Sequence, residues 1–504
     1  MNNIEFIDYI SSNPGVREYY IFEAFVLNLL EREFSQLDKP FKRQAFEIAG
    51  PYNASAEVDA VAPEGIDKNN LPTLFEIKIS RLPGSRFREL LLKLIAFAES
   101  GKYKQMILVS PQTEYQDRFE RYKDFWEESV SNVKLIFWGK DKIIELMEKH
   151  SDYTKDLLSN INLFYLRETI KQETDWQSIN NVHIQSLRKY YEHGRLSLFL
   201  GAGISIAAGL PTWDKLLHEL LVNLVTKNLA DEQGVRDDEI QSIVKRLIEK
   251  DEASSLMTAR YIRRGLSSYE EFDSSIFLET ITDIFYKSEP ESSELLQEIA
   301  KLTLPLRSGP KVRSVITYNF DDLLEKELVK VGNLHKSVYW EGEQSNQNEL
   351  PIYHVHGFLP ESRDKYDELE RASMVFSEEG YHHVFSEPYH WSNLVQLNTL
   401  RESICLFIGL SFTDPNLRRL LEISATNSNN VKHYAIMQRQ QKKGFMFDNK
   451  TKKVRSRVKY VDQFLQTHHR IHEQILKELG VNTIWFSQFE EIPNIIRRIY
   501  TAEG

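Results

Sequence analysis

Residues 198–213 read LFLGAGISIAAGLPTW, an apolar run that breaks into three glycines and a proline. A strand-length apolar stretch that ends in Gly-x-Gly has to turn sharply, and helical spacing resumes near Ser205. Strand, glycine turn and helix in that order place unpaired backbone N–H groups at the C-terminal edge of a sheet, where they attract phosphate. On this reading Gly201 and Gly203 let a pyrophosphate approach the chain, and Gly209-Leu210-Pro211 makes a second bend over it. A turn that merely packs a helix on a strand is the plainer alternative for any single Gly-x-Gly.

The text around the turn predicts a sheet to receive it. After LSLFL comes a long helical stretch, about 214–310, and then strand runs return at SVITYN (314–319), IYHVHG (352–357), ICLFIGL (404–410) and KHYAIM (432–437). Strands separated by helices predict a parallel sheet. The first 150 residues give a separate α/β pattern. A helix over 16–35 is followed by strands at AFEIAG, EVDAVAP and TLFEIKI, a helix near 86–100, the strand QMILVS (105–110), a charged helical segment and the strand VKLIFWG (133–139). Thr174-Asp175-Trp176 looks like a helix start. The expected organisation is a domain at 1–150, a helical linker at 151–180 and a domain at 181–504 with a helical insert. A chain of 504 residues is too long for one core, which agrees with at least two domains.

Four blocks of the second domain resemble the sirtuin family in order and content. The nucleotide loop GAGxSxxxGxPxF is matched by Gly201, Ala202, Gly203, Ser205, Gly209, Pro211 and the aromatic Trp213. TYNFD (317–321) resembles the family's Thr-Gln-Asn-Ile-Asp, HVHG (354–357) its catalytic His-Gly block, and GLSFTDPN (409–416) its Gly-x-Ser loop. The resemblance spans about 180–500 and implies a Rossmann-like sheet with a smaller inserted module. Two departures shape what it implies. Deacylating sirtuins carry a four-cysteine zinc ribbon, whereas Cys405 is the one cysteine here. The residue after the aromatic, often arginine in deacylases, is Asp214. Both departures resemble the bacterial sirtuin-like NAD hydrolases, many of them effectors of antiphage defence. NAD is then the implied substrate.

Cleaving the nicotinamide–ribose bond builds positive charge on the sugar, so a site must hold the carboxamide and deliver a nucleophile to the other face. The resemblance implies that Asn319 and Asp321 bind the ribose region, a nucleophilic water and the nicotinamide amide, and that Thr317, Gly409, Ser411 and Asp414 line the binding site. His356 is the implied general base, because an imidazole titrating near neutrality accepts a proton at cellular pH. His354 would share a face with His356 in a regular strand, so spacing alone does not separate the two. Asn319 and Asp321 would equally cap the helix DDLLEKEL, and Ser411 and Asp414 serve as turn and cap residues. In EGYHHVFSEPYHW (379–391), His382-His383 show no carboxylate at metal-ligand spacing, and the run reads as packing near the site.

In the first domain, Asp59 precedes Glu76 and Lys78 across a hairpin-like loop, and Glu76 and Lys78 share a strand face. Two carboxylates on adjacent strands hold a hard divalent ion such as magnesium, and a neighbouring lysine orients water. With Glu23 on the preceding helix, this pattern resembles the PD-(D/E)xK restriction-endonuclease family, in particular its Mrr-like branch, over about 15–140. The implied fold class is a restriction-endonuclease-like α/β domain followed by the Rossmann-like sirtuin domain. Arg81, Arg86, Arg88 and Lys93 offer phosphate contacts to DNA, or form a solvated helix face.

Net charge is −11, which argues against broad nonspecific affinity for nucleic acid, although Lys311–Arg313 and 442–453 are locally basic. No stretch approaches the ~20 apolar residues of a membrane span, and MNNIEFIDYISSNPG lacks a secretory pattern, so a cytoplasmic protein is expected. The leading expectation is an NAD glycohydrolase effector, forming homo-oligomers and answering to a phage-derived trigger or partner protein. The alternatives are a magnesium-dependent DNA endonuclease regulated by NAD, and a DNA- and nucleotide-sensing module for a partner subunit.

Overall fold

A computed structural model describes residues 3–501 except 14, 50–53, 67–69, 80–83, 131, 162–174, 229–235, 251–253, 268–274, 427–430 and 447–457. Arg81, Thr174, the side chain of Arg86 and the basic run beyond residue 446 lie outside what it describes. The chain divides into two units: residues 1–173 with 425–431 and 462–480, and residues 174–424 with 432–461 and 481–504.

The first unit is built on a five-stranded sheet in the order β1-β2-β3-β4-β5, comprising Lys42–Ala49, Ala54–Ala62, Thr73–Ile77, Gln105–Val109 and Lys134–Trp138. β1, β2 and β3 run antiparallel, and β3, β4 and β5 parallel. Alternation along β3 explains the layering. Phe75 and Ile77 face a core shared with Phe22, Phe25 and Leu29 of the helix Val16–Gln36. Leu74 faces a second core shared with Phe87, Leu91 and Leu94 of the helix Gly84–Glu99. The helix Asn3–Ser12, which the sequence reading had no element for, buries Phe6, Ile7 and Ile10 in the first of these cores. Residues 151–159, expected in a linker, form a helix whose Leu157 is buried in that same core.

The second unit holds seven parallel strands in the order β12-β11-β10-β6-β7-β9-β8. They are β6 Leu196–Leu200, β7 Val312–Thr317, β8 His335–Val338, β9 Leu350–His354, β10 Ile404–Ile408, β11 His433–Gln438 and β12 Val481–Phe486. Every residue of β6 and β10 is buried, as strands covered on both faces require. Between β6 and β7 all described regular elements are helical, from Gly203–Ile206 to Glu294–Leu302. The helix Trp176–Glu192 starts where the sequence predicted: Asp175 caps it by accepting the Gln177 N–H at 3.0 Å.

Strand order matters for function. From β6 the chain passes to β7, then to β8 at the edge and back to β9 between them on one side, and later to β10, β11 and β12 on the other. The direction of winding reverses beside β6, and in open parallel sheets a crevice opens at the carboxyl ends of the strands at such a reversal. Among the described residues, no helix is long and apolar enough to cross a membrane.

Candidate functional site

A cleft of about 300 Å³ lies at that reversal. It is lined by residues that follow four adjacent strands: Ala202 and Ser205 after β6, Tyr318 to Asp321 after β7, His356 after β9, and Thr413 to Pro415 after β10. Pro211, Trp213 and Phe376 supply an apolar wall, with the Trp213 and Phe376 rings 4.9 Å apart.

The glycine turn has a packing role that its sequence did not suggest. A Cβ on Gly201 would lie 2.5 Å from Leu410 Cδ2 and 2.6 Å from the Gly409 carbonyl oxygen, and one on Gly203 would lie 2.7 Å from Gly409 Cα. The turns after β6 and β10 are pressed together, backbone on backbone, and this contact is what excludes the side chains. The N–H groups predicted to be unpaired are in part spent there as well. Gly203 N–H donates to the Gly409 carbonyl at 3.0 Å, Ile204 N–H to the Gly201 carbonyl and Ser205 N–H to the Ala202 carbonyl. Gly201, Gly203 and Gly409 thus shape the cleft floor from behind, and the cleft itself meets Ala202 and Ser205.

Ser205 is the hub of a buried polar chain. Asn319 Nδ2 donates to Ser205 Oγ at 3.1 Å, and the Ser205 hydroxyl in turn faces Asp321 Oδ2 at 3.0 Å. Asp321 Oδ1 also accepts the Leu323 N–H at 3.1 Å. The capping role and the cleft-facing role read from the sequence as alternatives therefore coexist in one carboxylate. Burial lifts the Asp321 carboxyl to about 6, against the lowering pull of the Leu323 N–H and the Ser205 hydroxyl. Among the described residues, Asn319 Oδ1 is buried with no hydrogen-bond partner. An orphaned acceptor at the wall of a cleft is costly unless something else completes it. Thr317 does not reach the cleft; its hydroxyl accepts the Asn319 N–H at 3.1 Å and so sets the turn.

The two histidines of HVHG part company. β9 ends at His354, whose ring is sealed: Nε2 lies 2.7 Å from Glu325 Oε1, and Nδ1 lies 3.2 Å from the Asn319 carbonyl. Two residues on, past the strand end, His356 opens onto the cleft. Its ring is flanked edge-on by Tyr318 and Tyr381, at 4.6 and 5.6 Å between centroids. Gly357, at φ 108°, takes a conformation closed to other residues, and this turn lets the chain leave the strand. Burial holds the His356 imidazole below its ordinary value, and Asp414, 3.4 Å from Nε2, pulls the other way. The ring is consequently neutral near pH 7 and able to accept a proton. Asp414 is itself anchored, by the Tyr381 hydroxyl at 2.6 Å and the Leu417 N–H at 2.7 Å. Ser411 is exposed and pairs with Thr413 at 2.7 Å, and of the two only Thr413 lines the cleft.

Tyr318 and Tyr381, which flank His356, are among the cleft residues the sequence reading missed, as are Phe376 and Thr413. Tyr318 sits inside TYNFD, between the polar Thr317 and Asn319. Tyr381 lies in the run read as packing, and the observable signal was an aromatic beside two histidines.

In the first unit, Asp59, Glu76 and Lys78 do come together. Lys78 Nζ lies 2.9 Å from Glu76 Oε1 and 3.6 Å from Asp59 Oδ2, and Lys93 reaches the same Glu76 oxygen at 2.9 Å. Burial works against the Glu76 charge, but Lys78 and Lys93 hold its carboxyl below the usual range; burial lifts Asp59, against Lys78, to about 6. Glu23 is buried on the helix Val16–Gln36, yet it does not close a three-ligand cluster with Asp59 and Glu76. Glu76 Oε2 is buried with no partner among the described residues. Two carboxylates with one oxygen unspent fit a magnesium ion, which takes one or two carboxylates and keeps several waters. Lys93 is thus an ion-pair partner of the acid cluster, and Arg88 is exposed.

Comparison with known proteins bears on the second unit. Residues 313–462 match the SIR2-like domain family, a span that takes in TYNFD, HVHG and GLSFTDPN. The chain is 25% identical over 324 residues to an NAD(+) hydrolase ThsA of Enterococcus faecium, covering 63% of this chain and 58% of that protein. It is 23% identical over 271 residues to an NAD(+) hydrolase ThsA of Acinetobacter baumannii, covering 51% and 45%. The matches thus span about half the length of these relatives.

Proposed function

We propose that the second unit is a SIR2-like NAD hydrolase, an effector of antiphage defence, that releases nicotinamide from NAD. The observation that carries this reading is the convergence of a neutral, buried His356, the orphaned acceptor of Asn319 and the Asp321–Ser205 pair on one cleft at the switch point of a parallel sheet. The names of the two relatives support the substrate.

In this reaction the bond between ribose C1′ and the nicotinamide nitrogen breaks, and its electron pair leaves with nicotinamide. Water adds to C1′ and gives up a proton, for which His356 is the acceptor. Asn319 Oδ1 takes a hydrogen bond from the attacking water or a ribose hydroxyl, which ends its orphaned state. Near pH 6 and below, Asp321 carries a proton of its own and is able to donate to the carboxamide. The wall of Trp213, Phe376 and Tyr318 excludes bulk water from the departing ring.

For the first unit, the unspent Glu76 oxygen favours a second activity, a magnesium-dependent nuclease. Asp59 and Glu76 would hold the ion, which supplies polarisation of a phosphodiester when bound. One incubation tests both readings. Purified protein is given NAD, magnesium and supercoiled plasmid, and nicotinamide and nicked DNA are measured together. Nicotinamide release that falls by about 10²- to 10⁴-fold in His356→Ala is expected; release that survives the substitution refutes the assigned base. Nicking lost in Glu76→Ala is expected for the nuclease, and its absence from the parent protein refutes that activity.

A further inference from the structure

A second set of metal donors stands outside both sites. The run HHVFSEPYH gave no carboxylate at ligand spacing when read as a sequence, but the fold supplies one. His383 lies in the last turn of the helix Glu378–Ser386, and Glu387 caps that helix. His390, after the intervening turn, is the N-cap of the helix Trp391–Glu402. One donor atom from each of the three lies within 4.8 Å of the other two. His383 Nδ1 is 3.3 Å from Glu387 Oε1, and the His383 and His390 rings are 5.7 Å apart. His382 is exposed and is not part of the group.

We infer that His383, Glu387 and His390 bind a divalent transition-metal ion of the zinc class. Two imidazoles and a carboxylate are the donors such ions select over magnesium or calcium, which prefer oxygen throughout. The side chains of His383 and Glu387 are 53% and 55% exposed, so an ion can enter and keep water in its remaining positions. His390 is preset as a ligand. Its Nδ1 lies 2.8 Å from Ser392 Oγ and 3.4 Å from the Ser392 N–H; a metal on Nε2 puts the ring proton on Nδ1, where the Ser392 hydroxyl oxygen accepts it.

The position gives the ion a consequence. The first of the two helices carries Tyr381, which anchors Asp414, and the second carries Gln396, which accepts the Tyr318 hydroxyl. Both tyrosines flank His356. An ion held here ties the two helices behind one wall of the cleft. The inference rests on the donor geometry alone and stands whether or not NAD is the substrate.

The test uses the full chain, stripped with a chelator and titrated with zinc chloride, with affinity read by calorimetry and thermal stability by circular dichroism. One ion bound in the micromolar range or tighter is expected, with a rise in melting temperature. In His383→Ala, a change at an exposed side chain, affinity should fall by at least about tenfold while the metal-free melting temperature stays unchanged. Glu387→Gln should weaken binding in the same sense. Zinc affinity unchanged in His383→Ala, or a parent chain that binds only at millimolar zinc, would overturn the site.

Discussion

Asp321 and Asp59 are both lifted to about 6 by burial, yet they sit among opposite kinds of neighbour. Asp59 belongs to a cluster that carries its own cations: Lys78 bridges it to Glu76, and Lys93 adds a second ammonium. Asp321 is satisfied by a hydroxyl and a backbone N–H. Burial raises a carboxyl in either setting, but only the first setting balances charge within the protein. The Asp59 cluster thus sets carboxylates against lysines, whereas Asp321 has a hydroxyl and an N–H as partners and feels the like charges of Glu325 and Asp322.

Removing the cation should break the comparison most. Lys78→Met leaves Asp59 and part of the Glu76 charge buried without their shared partner, and a loss of about 3–5 kcal/mol in denaturant unfolding is expected. An unchanged midpoint would show that the lysine contributes little to holding the carboxylates.

Asp321 sharpens the comparison through pH. Its folded-state value lies above the ordinary one, so between about pH 4 and 6 the folded chain keeps a proton that the unfolded chain has lost. The stability this gives is fully present below pH 4 and is lost as pH rises through 6. Asp321→Asn abolishes the titration, and relative to the parent it should gain stability from pH 4 to 7, by at most about 3 kcal/mol. Asp59 titrates in the same window, so part of the parent's slope should persist in the variant. A parent–variant difference that is flat with pH would contradict the raised value.

The smallest effect concerns the base. Asp414 is the charge that pulls His356 upward against burial, so Asp414→Asn should move the acid limb of the kcat/KM profile to lower pH, by roughly one unit or less. A shift to higher pH would mean that Asp414 acts by something other than its charge.

Much of the architecture was legible in local text. LSLFL and ICLFI are continuous apolar runs of strand length, and both lie buried at the centre of the second sheet. Asp175 announced a helix by its side chain. β8 and β12 were missed: HKSV is short and polar, and no element was read after KHYAIM, where VNTIWF follows. Of the cleft residues, the polar members of TYNFD and HVHG were legible as motifs. Tyr318 and Tyr381 were not, since a tyrosine gives no local sign of which ring it will lie against.

What the sequence determined by itself is what depends on neighbours along the chain: a strand that breaks into glycines, a His-Gly pair, carboxylates and a lysine spaced to share a strand face. What tertiary structure alone decided is which groups meet. It set Gly201 and Gly203 against Gly409, about two hundred residues away, and so gave the missing side chains a packing reason that no local stretch shows. It turned His354 toward Glu325 and His356 toward the cleft, because the strand ends between them. Contact across a sheet depends on strand order and register, and neither is a property of any short stretch of chain.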